Sequence, residues 1–297
     1  MTALQKRAID AESAQSNVTF KIEDRLTQRR LAAAAAAQQA LFNDAGADAY
    51  RGSVIIDAWS DLVCPFCHVG RRHLELALEQ FEHADEVEVT WHSYELDPQA
   101  PAVLDEPVIE VVGRKYGVGL DEIRAQHRTM AEQAAEVGLD FQWERLRGGS
   151  SHDAHRVIHY ARSLDLERPV TERIMRGWYS EGRAIGDRET LADLAADGGL
   201  DRDKVLAMLD SDDFGIDVRT DEATARQIGI QAVPAFVLDR KYLVSGAQPV
   251  ETFLAGLQQA YDDRGTAPTP RESGCACGGG GCGGGGGSAD VCGRDAG

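Results

Sequence analysis

The sequence predicts an α/β fold in which a large all-helical insertion interrupts a sheet domain. A strand, helix and strand pattern covers residues 53–96, and roughly a hundred residues with helical character follow it. A β-hairpin and a final helix come after them. Because the strands lie on both sides of the helical stretch, we assign 51–103 and 208–265 to the sheet domain. Residues 104–207 are the predicted insertion.

The first flank opens on a strand that is expected to be buried. The run Ser53–Trp59 is almost continuously apolar, and a helical pattern extends from about Val69 to Phe81. A second strand, Val87–Leu96, begins with alternating apolar and polar residues. A strand, helix and strand of this combined length form a βαβ unit with parallel strands.

Two cysteines lie at the junction of the first strand and helix. Cys64 and Cys67 are separated by Pro65 and Phe66, a spacing and context typical of a reversible dithiol. The first cysteine is expected at the helix N-terminus, where unpaired N–H groups and the macrodipole favour a thiolate. Pro65 fits the first helical position because it has no N–H to leave unpaired. Half of a zinc site is the alternative, but the remaining cysteines are far along the chain.

The insertion consists of helix-forming segments that glycines separate. The predicted helices are Glu106–Tyr116, Leu120–Val137, His152–Leu164, Thr171–Glu181 and Arg188–Ala196.

Three histidines of the insertion share one helix face. His152, His155 and His159 have the i, i+3, i+7 spacing that places side chains on the same side. They are expected to line the polar face of the insertion toward the cleft or to cap the helix start. Metal binding is the alternative, although no carboxylate in a signature such as H-E-x-x-H accompanies them.

The second flank returns the chain to the sheet. A helix is predicted from about Asp217 to Ile228, and Gly229 ends it. Residues 230–239 and Tyr242–Val244 predict a β-hairpin. Val250–Tyr261 predicts the last helix.

Both ends of the chain differ in composition from the body. Residues 1–50 predict an N-terminal helical extension with little large apolar surface, and residues 266–297 predict a disordered Gly/Cys-rich tail. The tail contains Cys275, Cys277, Cys282 and Cys292. These thiols fit a second dithiol that exchanges electrons with the first pair, a soft-metal site, or no selected role.

The charge balance narrows the classes of partner. A net charge of -18, from 31 Lys and Arg against 49 Asp and Glu, disfavours nucleic acid and anionic membrane surfaces. No segment approaches the apolar length of a membrane-spanning helix. The N-terminal region lacks the pattern of a secretory signal, so a cytoplasmic location is expected. A CxxC pair in that compartment is a redox pair rather than a structural disulfide.

Five segments that span about residues 51–263 carry a family resemblance. They are Asp61–Gly70, Ser93–Pro98, Ser151–Arg156, Gly229–Val237 and Val244–Pro249. In order and spacing they resemble the DsbA-like thioredoxin-fold oxidoreductases, specifically the FrnE-like branch. That branch is related to 2-hydroxychromene-2-carboxylate isomerases and kappa-class glutathione transferases.

The resemblance implies a thioredoxin-like fold with the large all-helical insertion. It also implies thiol–disulfide exchange in which Cys64 attacks and Cys67 resolves the mixed disulfide. A cis peptide between Val233 and Pro234 is implied beside the cysteines, where it positions the substrate. Asp57 resembles in place the buried acid with which thioredoxins accept the second cysteine's proton. A strand residue with a backbone or solvent partner is the alternative for this aspartate.

The residues around the pair bear on its redox potential. Phe66 stands where strongly oxidising relatives have a histidine. His68, Arg71 and Arg72 are expected to replace part of the missing positive charge, whereas Asp61 opposes it.

These features predict an enzyme that acts on protein or small-thiol disulfides and requires no metal or organic cofactor. One alternative is a glutathione-dependent isomerase or transferase on the same fold, although such enzymes usually have Ser in place of Cys64 and no second cysteine. The other is a non-enzymatic chaperone or metal-buffering protein. The sequence assigns neither a client nor an oligomeric state.

Overall fold

Four strands form one sheet in the computed structural model of this chain, which describes residues 53–264. The strands are β1 (Val54–Ser60), β2 (Val87–Ser93), β3 (Ala235–Leu238) and β4 (Tyr242–Ser245). Their order in the sheet is β2-β1-β3-β4. β1 is parallel to β2 and antiparallel to β3, and β3 is antiparallel to β4. Both the βαβ unit and the hairpin predicted from the sequence are confirmed.

Nine α-helices accompany the sheet within the described range. They are α1 (Pro65–Gln80), α2 (Val108–Tyr116), α3 (Leu120–Glu136), α4 (His152–Arg162), α5 (Glu167–Tyr179), α6 (Arg188–Asp197), α7 (Arg202–Leu209), α8 (Gly215–Gln227) and α9 (Val250–Asp262). The α/β fold with a helical insertion is confirmed. Helices α2 to α7 correspond to the insertion, whose boundaries stay a prediction.

Three elements differ from their predicted extent. Helix α7 was not predicted, although the Asp201 carboxylate accepts a hydrogen bond from the Lys204 N–H and provides an N-cap. Helix α5 starts before Thr171 because Pro169 lies in its first turn, where a missing N–H costs nothing. Strand β2 ends at Ser93: the Tyr94 N–H still bonds the Ser60 carbonyl of β1, but the Glu95 and Leu96 N–H groups bond carboxylates of other segments.

Alternation along β1 sorts the side chains onto two faces of the sheet. Val54, Ile56 and Ala58 pack in one cluster with apolar residues of α1 and α9, among them Leu74 and Phe253. On the opposite face Trp59 packs with Ala225 of α8 and with Ile230. The CxxC helix and α8 therefore cover opposite faces of the sheet.

The insertion has a core of its own that continues toward the CxxC segment. Val157, Ile174 and Leu194 from three helices of the insertion belong to one buried cluster. The same cluster includes Leu62, which precedes Cys64, and Val69 of α1. Apolar burial of this kind provides most of the stabilisation of a domain, at roughly 25 cal/mol per Å² removed from water. The cysteine segment is thus packed from both parts of the fold.

Histidines and carboxylates join the insertion to the sheet domain. On α4, His152 Nδ1 lies 2.5 Å from Glu95 Oε1, His155 Nε2 lies 3.4 Å from Asp61 Oδ1, and His159 Nε2 lies 3.2 Å from an Asp221 oxygen. The three histidines lie on successive turns of one helix face. The shared face predicted for these histidines is confirmed, and it is directed at the sheet domain.

The third pair extends into a buried cluster around His92. The ring of His92 lies between two carboxylates, 2.8 Å from Asp57 and 2.9 Å from Asp221. Burial favours the neutral ring, but the hydrogen bonds and charges of Asp221 and Asp57 raise the pKa of His92 to about 9. Burial likewise opposes the charge on Asp221, yet hydrogen bonds from His159 and His92 lower the pKa of that carboxyl. The cluster therefore holds a buried imidazolium between carboxylates.

The predicted extension at 1–50 and the predicted tail at 266–297 lie outside the described residues. None of the helices between residues 53 and 264 combines the length and the hydrophobicity of a membrane span.

The free energy of unfolding is expected to decrease as the pH rises from about 6.5 to about 9. Below 6.5 both the folded and the unfolded chain have a protonated His92, whereas between these pH values only the folded chain retains the proton. The loss is on the order of 3 kcal/mol for a shift of this size. Urea denaturation between pH 6 and 9 measures it.

The control for this prediction separates His92 from other groups that titrate in the same range. In a His92→Gln variant the decrease over this pH interval should be smaller, while a His73→Gln variant should retain it. His73 is a histidine of α1 that bonds only the Gln248 carbonyl among its described hydrogen-bond partners. Equal pH dependence in the wild type and the His92 variant would contradict the prediction.

Candidate active site

Cys64 is the residue that caps the N-terminus of α1. Its carbonyl accepts hydrogen bonds from the N–H groups of Cys67 and His68 at 2.9 and 3.2 Å. Pro65 occupies the first helical position and no acidic residue lies in the first turn. The partial positive charge of the helix N-terminus therefore acts on the Cys64 sulfur without a competing carboxylate in that turn, and it favours the thiolate.

The cis-proline loop lies against the same sulfur. The Val233–Pro234 bond is cis, as the resemblance implies. Cys64 Sγ is 3.9 Å from the carbonyl oxygen of Val233. Pro234 has no N–H, and the carbonyl of Val233 is adjacent to the reacting atom. The structure thus brings Cys64, Val233 and Pro234 together.

Gly70 permits this close approach. A Cβ at this position of α1 would lie 3.0 Å from the Pro234 ring and 3.4 Å from both the Phe236 ring and the Ala247 backbone. These neighbours are rigid rings and backbone, so a side chain at position 70 displaces the loop or the helix. The helix and the cis-proline loop can therefore approach each other this closely because residue 70 has no side chain.

Cys67 differs from Cys64 in its surroundings. It is completely buried, and its sulfur accepts a hydrogen bond from the Asp61 N–H at 3.4 Å. Burial raises the pKa of Cys67 well above that of an ordinary thiol, and a hydrogen bond to Cys64 and the charge of Cys64 raise it further. The Asp61 N–H and the Ser60 side chain oppose this only in part. Cys67 therefore keeps its proton.

The expected cations around the pair are not available to it. Burial, followed by the charge of Arg71, lowers the pKa of His68 to about 4, so this ring is neutral at physiological pH. Arg71 is paired with Glu75, and Arg72 with Glu75 and Glu79. The prediction that His68 supplies positive charge is therefore wrong, because burial makes the ring neutral, and the ion pairs with Glu75 and Glu79 offset the charges of Arg71 and Arg72.

A tyrosine from the insertion closes the site beneath the cysteines. Tyr179 of α5 is buried, and its ring centroid lies 4.3 Å from that of His68. Burial raises the pKa of Tyr179 well above its ordinary value, and the charges of Cys64, Cys67 and Asp61 act in the same direction. A protonated phenol therefore lies near the redox pair, a contribution of the insertion that no sequence motif indicates.

Asp57 is not near the cysteines. It lies on the face of β1 opposite to the face that α1 covers, and its carboxylate bonds His92 at 2.8 Å. The register of β1 explains this, because Ile56 and Ala58 point toward α1 and the intervening residue points away. The proton-acceptor role of Asp57 stays a prediction, and the structure places its carboxylate against His92.

The other candidate site residues are possible metal ligands, the tail cysteines and Phe66. No group of three His, Cys, Asp or Glu residues within 53–264 has the arrangement of a metal site. The four tail cysteines lie outside the described residues. Phe66, between the two cysteines, is 53% exposed and so presents an apolar surface at the mouth of the site.

A family model for the DSBA-like thioredoxin domain matches residues 55–258, which include both cysteines and the cis-proline loop. The chain belongs to the DsbA-like thioredoxin family. Membership in the FrnE-like branch stays a prediction.

Individual proteins differ in their similarity to this chain. A probable DsbA oxidoreductase from Streptomyces coelicolor is 37% identical, with a TM-score of 0.69 over 76% of this chain and 96% of that one. The uncharacterized protein YwbO of Bacillus subtilis (strain 168) is 26% identical over 63% of this chain and 87% of its own length. The cytosolic disulfide reductase DsbM from Pseudomonas aeruginosa, crystallised with GSH, is 19% identical with a TM-score of 0.50 over 70% and 99% of the two chains, and it shares the fold.

Replacing Gly70 with alanine is expected to slow the reaction of the reduced protein with a peptide disulfide by about tenfold or more, because a small displacement of reacting groups is costly. The added methyl group pushes the Pro234 loop away from Cys64. Stopped-flow measurement of the bimolecular rate tests this.

Gly215→Ala is the matched control, since a Cβ at the start of α8 has no heavy atom within 4 Å. This variant should react at the wild-type rate. Equal rates in the two variants would show that the close packing at Gly70 does not support the reaction.

Proposed function

We propose that this protein is a thiol–disulfide oxidoreductase that acts on protein disulfides through Cys64 and Cys67. One observation carries the proposal: the two thiols share one helical turn but differ in their surroundings. Cys64, 4% exposed, lies at the helix N-terminus beside the Val233 carbonyl, whereas Cys67 is completely buried and holds a proton. An attacking thiolate and a resolving thiol need this difference.

The reaction begins with attack by the Cys64 thiolate on one sulfur of the substrate disulfide. The substrate S–S bond breaks, the other substrate sulfur leaves as a thiolate, and Cys64 forms a mixed disulfide. Cys67 then loses its proton and attacks the Cys64 sulfur. A Cys64–Cys67 bond forms, and the second substrate thiolate leaves with the electron pair. The same steps in reverse oxidise a client dithiol.

The cis-proline loop positions the substrate in this proposal. Val233 offers its carbonyl, and Pro234 keeps a competing N–H away from the sulfur. An extended peptide can hydrogen-bond to exposed backbone groups of such a loop. Exposed Phe66 provides an apolar contact on the other side of Cys64. Small-thiol disulfides fit the same sulfur without the peptide contacts.

The comparisons support this class of activity. The Streptomyces coelicolor relative is described as a probable DsbA oxidoreductase, and DsbM is described as a disulfide reductase with GSH. The chemistry needs no metal or organic cofactor, since the two thiols carry both electrons. The proposed reaction involves neither nucleic acid nor a membrane. The cytoplasmic location stays a prediction from the sequence.

A Cys67→Ser variant whose four tail cysteines are also replaced by serine should accumulate mixed disulfides with client proteins, because no resolving thiol remains and the Cys64 bond persists. The species are detected as thiol-sensitive bands on non-reducing gels and as Cys64 conjugates by mass spectrometry. Insulin reduction by this variant with dithiothreitol should fall to the uncatalysed rate.

Cys64→Ser is the control, since it removes the attacking sulfur and should trap nothing. If the double Cys64→Ala, Cys67→Ala variant protects clients from aggregation as well as the wild type and neither variant affects insulin reduction, the non-enzymatic alternative is correct. If both cysteines are dispensable for turnover of a chromene-type substrate, the isomerase alternative is correct.

We further propose that the tail thiols Cys275, Cys277, Cys282 and Cys292 exchange electrons with the first pair. A Gly-rich tether can bring a second dithiol to a fixed site at high effective concentration. Disulfide mapping of the oxidised Cys67→Ser chain should then find Cys64 joined to a tail cysteine. Absence of such peptides, or stoichiometric Zn²⁺ binding by the tail, would favour the other roles considered above.

A further inference from the structure

Resolution by Cys67 requires a base, and neither cysteine provides one. The thiol must lose a proton before it can attack, yet it is completely buried and its pKa is raised. Asp57 lies on the far face of the sheet. A base must therefore reach Cys67 from another direction.

A small cavity lies next to Ser60, the last residue of β1. Its volume is about 30 Å³, which exceeds the roughly 10–15 Å³ that one water molecule requires. Its lining includes Ser60, His155 and Thr171. Ser60 is the residue whose side chain hydrogen-bonds the Cys67 sulfur. The cavity thus begins at a direct neighbour of the resolving thiol.

Two buried polar atoms among the lining residues have no hydrogen-bond partner within residues 53–264. They are His155 Nε2 and Thr171 Oγ1, and both side chains are more than nine-tenths buried. Leaving a buried polar atom unsatisfied costs about 1–3 kcal/mol. A water in this cavity that bonds the imidazole and both hydroxyls satisfies them, because a buried water typically makes about three hydrogen bonds.

Asp61 supports the imidazole and does not act as the base itself. Its carboxylate accepts the Val63 N–H at 3.3 Å and the Leu96 N–H at 2.8 Å, and such bonds stabilise the charged form. The same carboxylate lies 3.4 Å from His155 Nε2. It is therefore placed to stabilise a positive charge on His155 once the ring has accepted a proton.

We propose that Ser60, one water in this cavity and His155 form the proton route of Cys67. The inference rests on the proposed function. Cys67 donates its proton to the Ser60 hydroxyl, which passes its own proton to the water, and the water donates to His155. Cys67 is then a thiolate, attacks the Cys64 sulfur of the mixed disulfide, and the substrate thiolate leaves with the electron pair. The proton on His155 returns to solvent or to the leaving thiolate.

Charged or titratable groups surround His155 from four parts of the structure. They are Asp61 after β1, Arg71 of α1, His92 of β2 and Arg162 of α4. The two arginines remain charged at all working pH values, and Asp61 offsets one positive charge. His155 is thus the cavity histidine that is not held between two carboxylates, as His92 is.

The test separates attack by Cys64 from resolution by Cys67. Reduced full-length protein, with the four tail cysteines replaced by serine, is mixed with excess dithiobis(nitrobenzoate). The first coloured thiolate reports attack by Cys64, and the second, released in a unimolecular phase, reports resolution. His155→Gln should slow the second phase by at least about tenfold and leave the first unchanged, in line with general-base contributions.

Two further variants keep the result interpretable. Ser60→Ala removes only the hydroxyl and should slow the second phase in the same way. His159→Gln changes the neighbouring histidine of the same helix face, which bonds Asp221 and the Ser93 hydroxyl but does not itself line the cavity, and should leave both phases unchanged. Raising the pH should restore the second phase of His155→Gln toward the wild-type rate, since hydroxide replaces the missing acceptor.

A wild-type second phase in both His155→Gln and Ser60→Ala refutes the route. An equal loss in His159→Gln also refutes it, because the effect would then be structural. If the wild type itself releases only one equivalent of coloured thiolate, the proposed function fails and this route fails with it.

Discussion

The unequal environments of two sulfurs one helical turn apart are the constraint on which the rest of this site depends. The N-terminus of α1 favours an anion on Cys64, and complete burial keeps the proton on Cys67. The two cysteine environments depend on different parts of the structure. The first requires a well-formed helix start at Pro65 and a close cis-proline loop, for which Gly70 leaves space. The second involves the insertion: its buried Tyr179 lies near the redox pair, and its core includes Leu62 and Val69 of the cysteine segment.

The insertion is therefore part of the redox site as well as a separate layer of helices. Three histidines of α4 meet three carboxylates of the sheet domain, and Leu62 and Val69 continue the apolar core of the insertion. Buried ion pairs contribute little net stability but are costly to break singly, so they fix the geometry in which they occur. This interface determines how α4 presents His155 to the cavity next to Ser60.

Local patterns were sufficient to predict the parts of the fold that depend on local physics. The βαβ unit follows from alternation and apolar runs, and the helix start follows from Cys64 and Pro65. The positions and charges of the other site residues depend on strand register, burial and long-range contacts. Asp57 lies near the expected position in sequence, yet one residue of offset turns it to the opposite face of β1. His68 has the right residue type to supply a cation, but its burial makes it neutral. The pairing of Asp61 with His155 joins residues far apart in sequence, and no spacing rule reveals it.

Differential alkylation tests the unequal environments of the two thiols most directly. The folded, reduced chain is given a short pulse of iodoacetamide at neutral pH, quenched, and mapped by mass spectrometry, with a second aliquot treated after unfolding in urea. The account predicts modification at Cys64 with Cys67 protected in the folded chain, and modification of both after unfolding. Equal labelling of the two sulfurs in the folded chain, or labelling of Cys67 first, would contradict it.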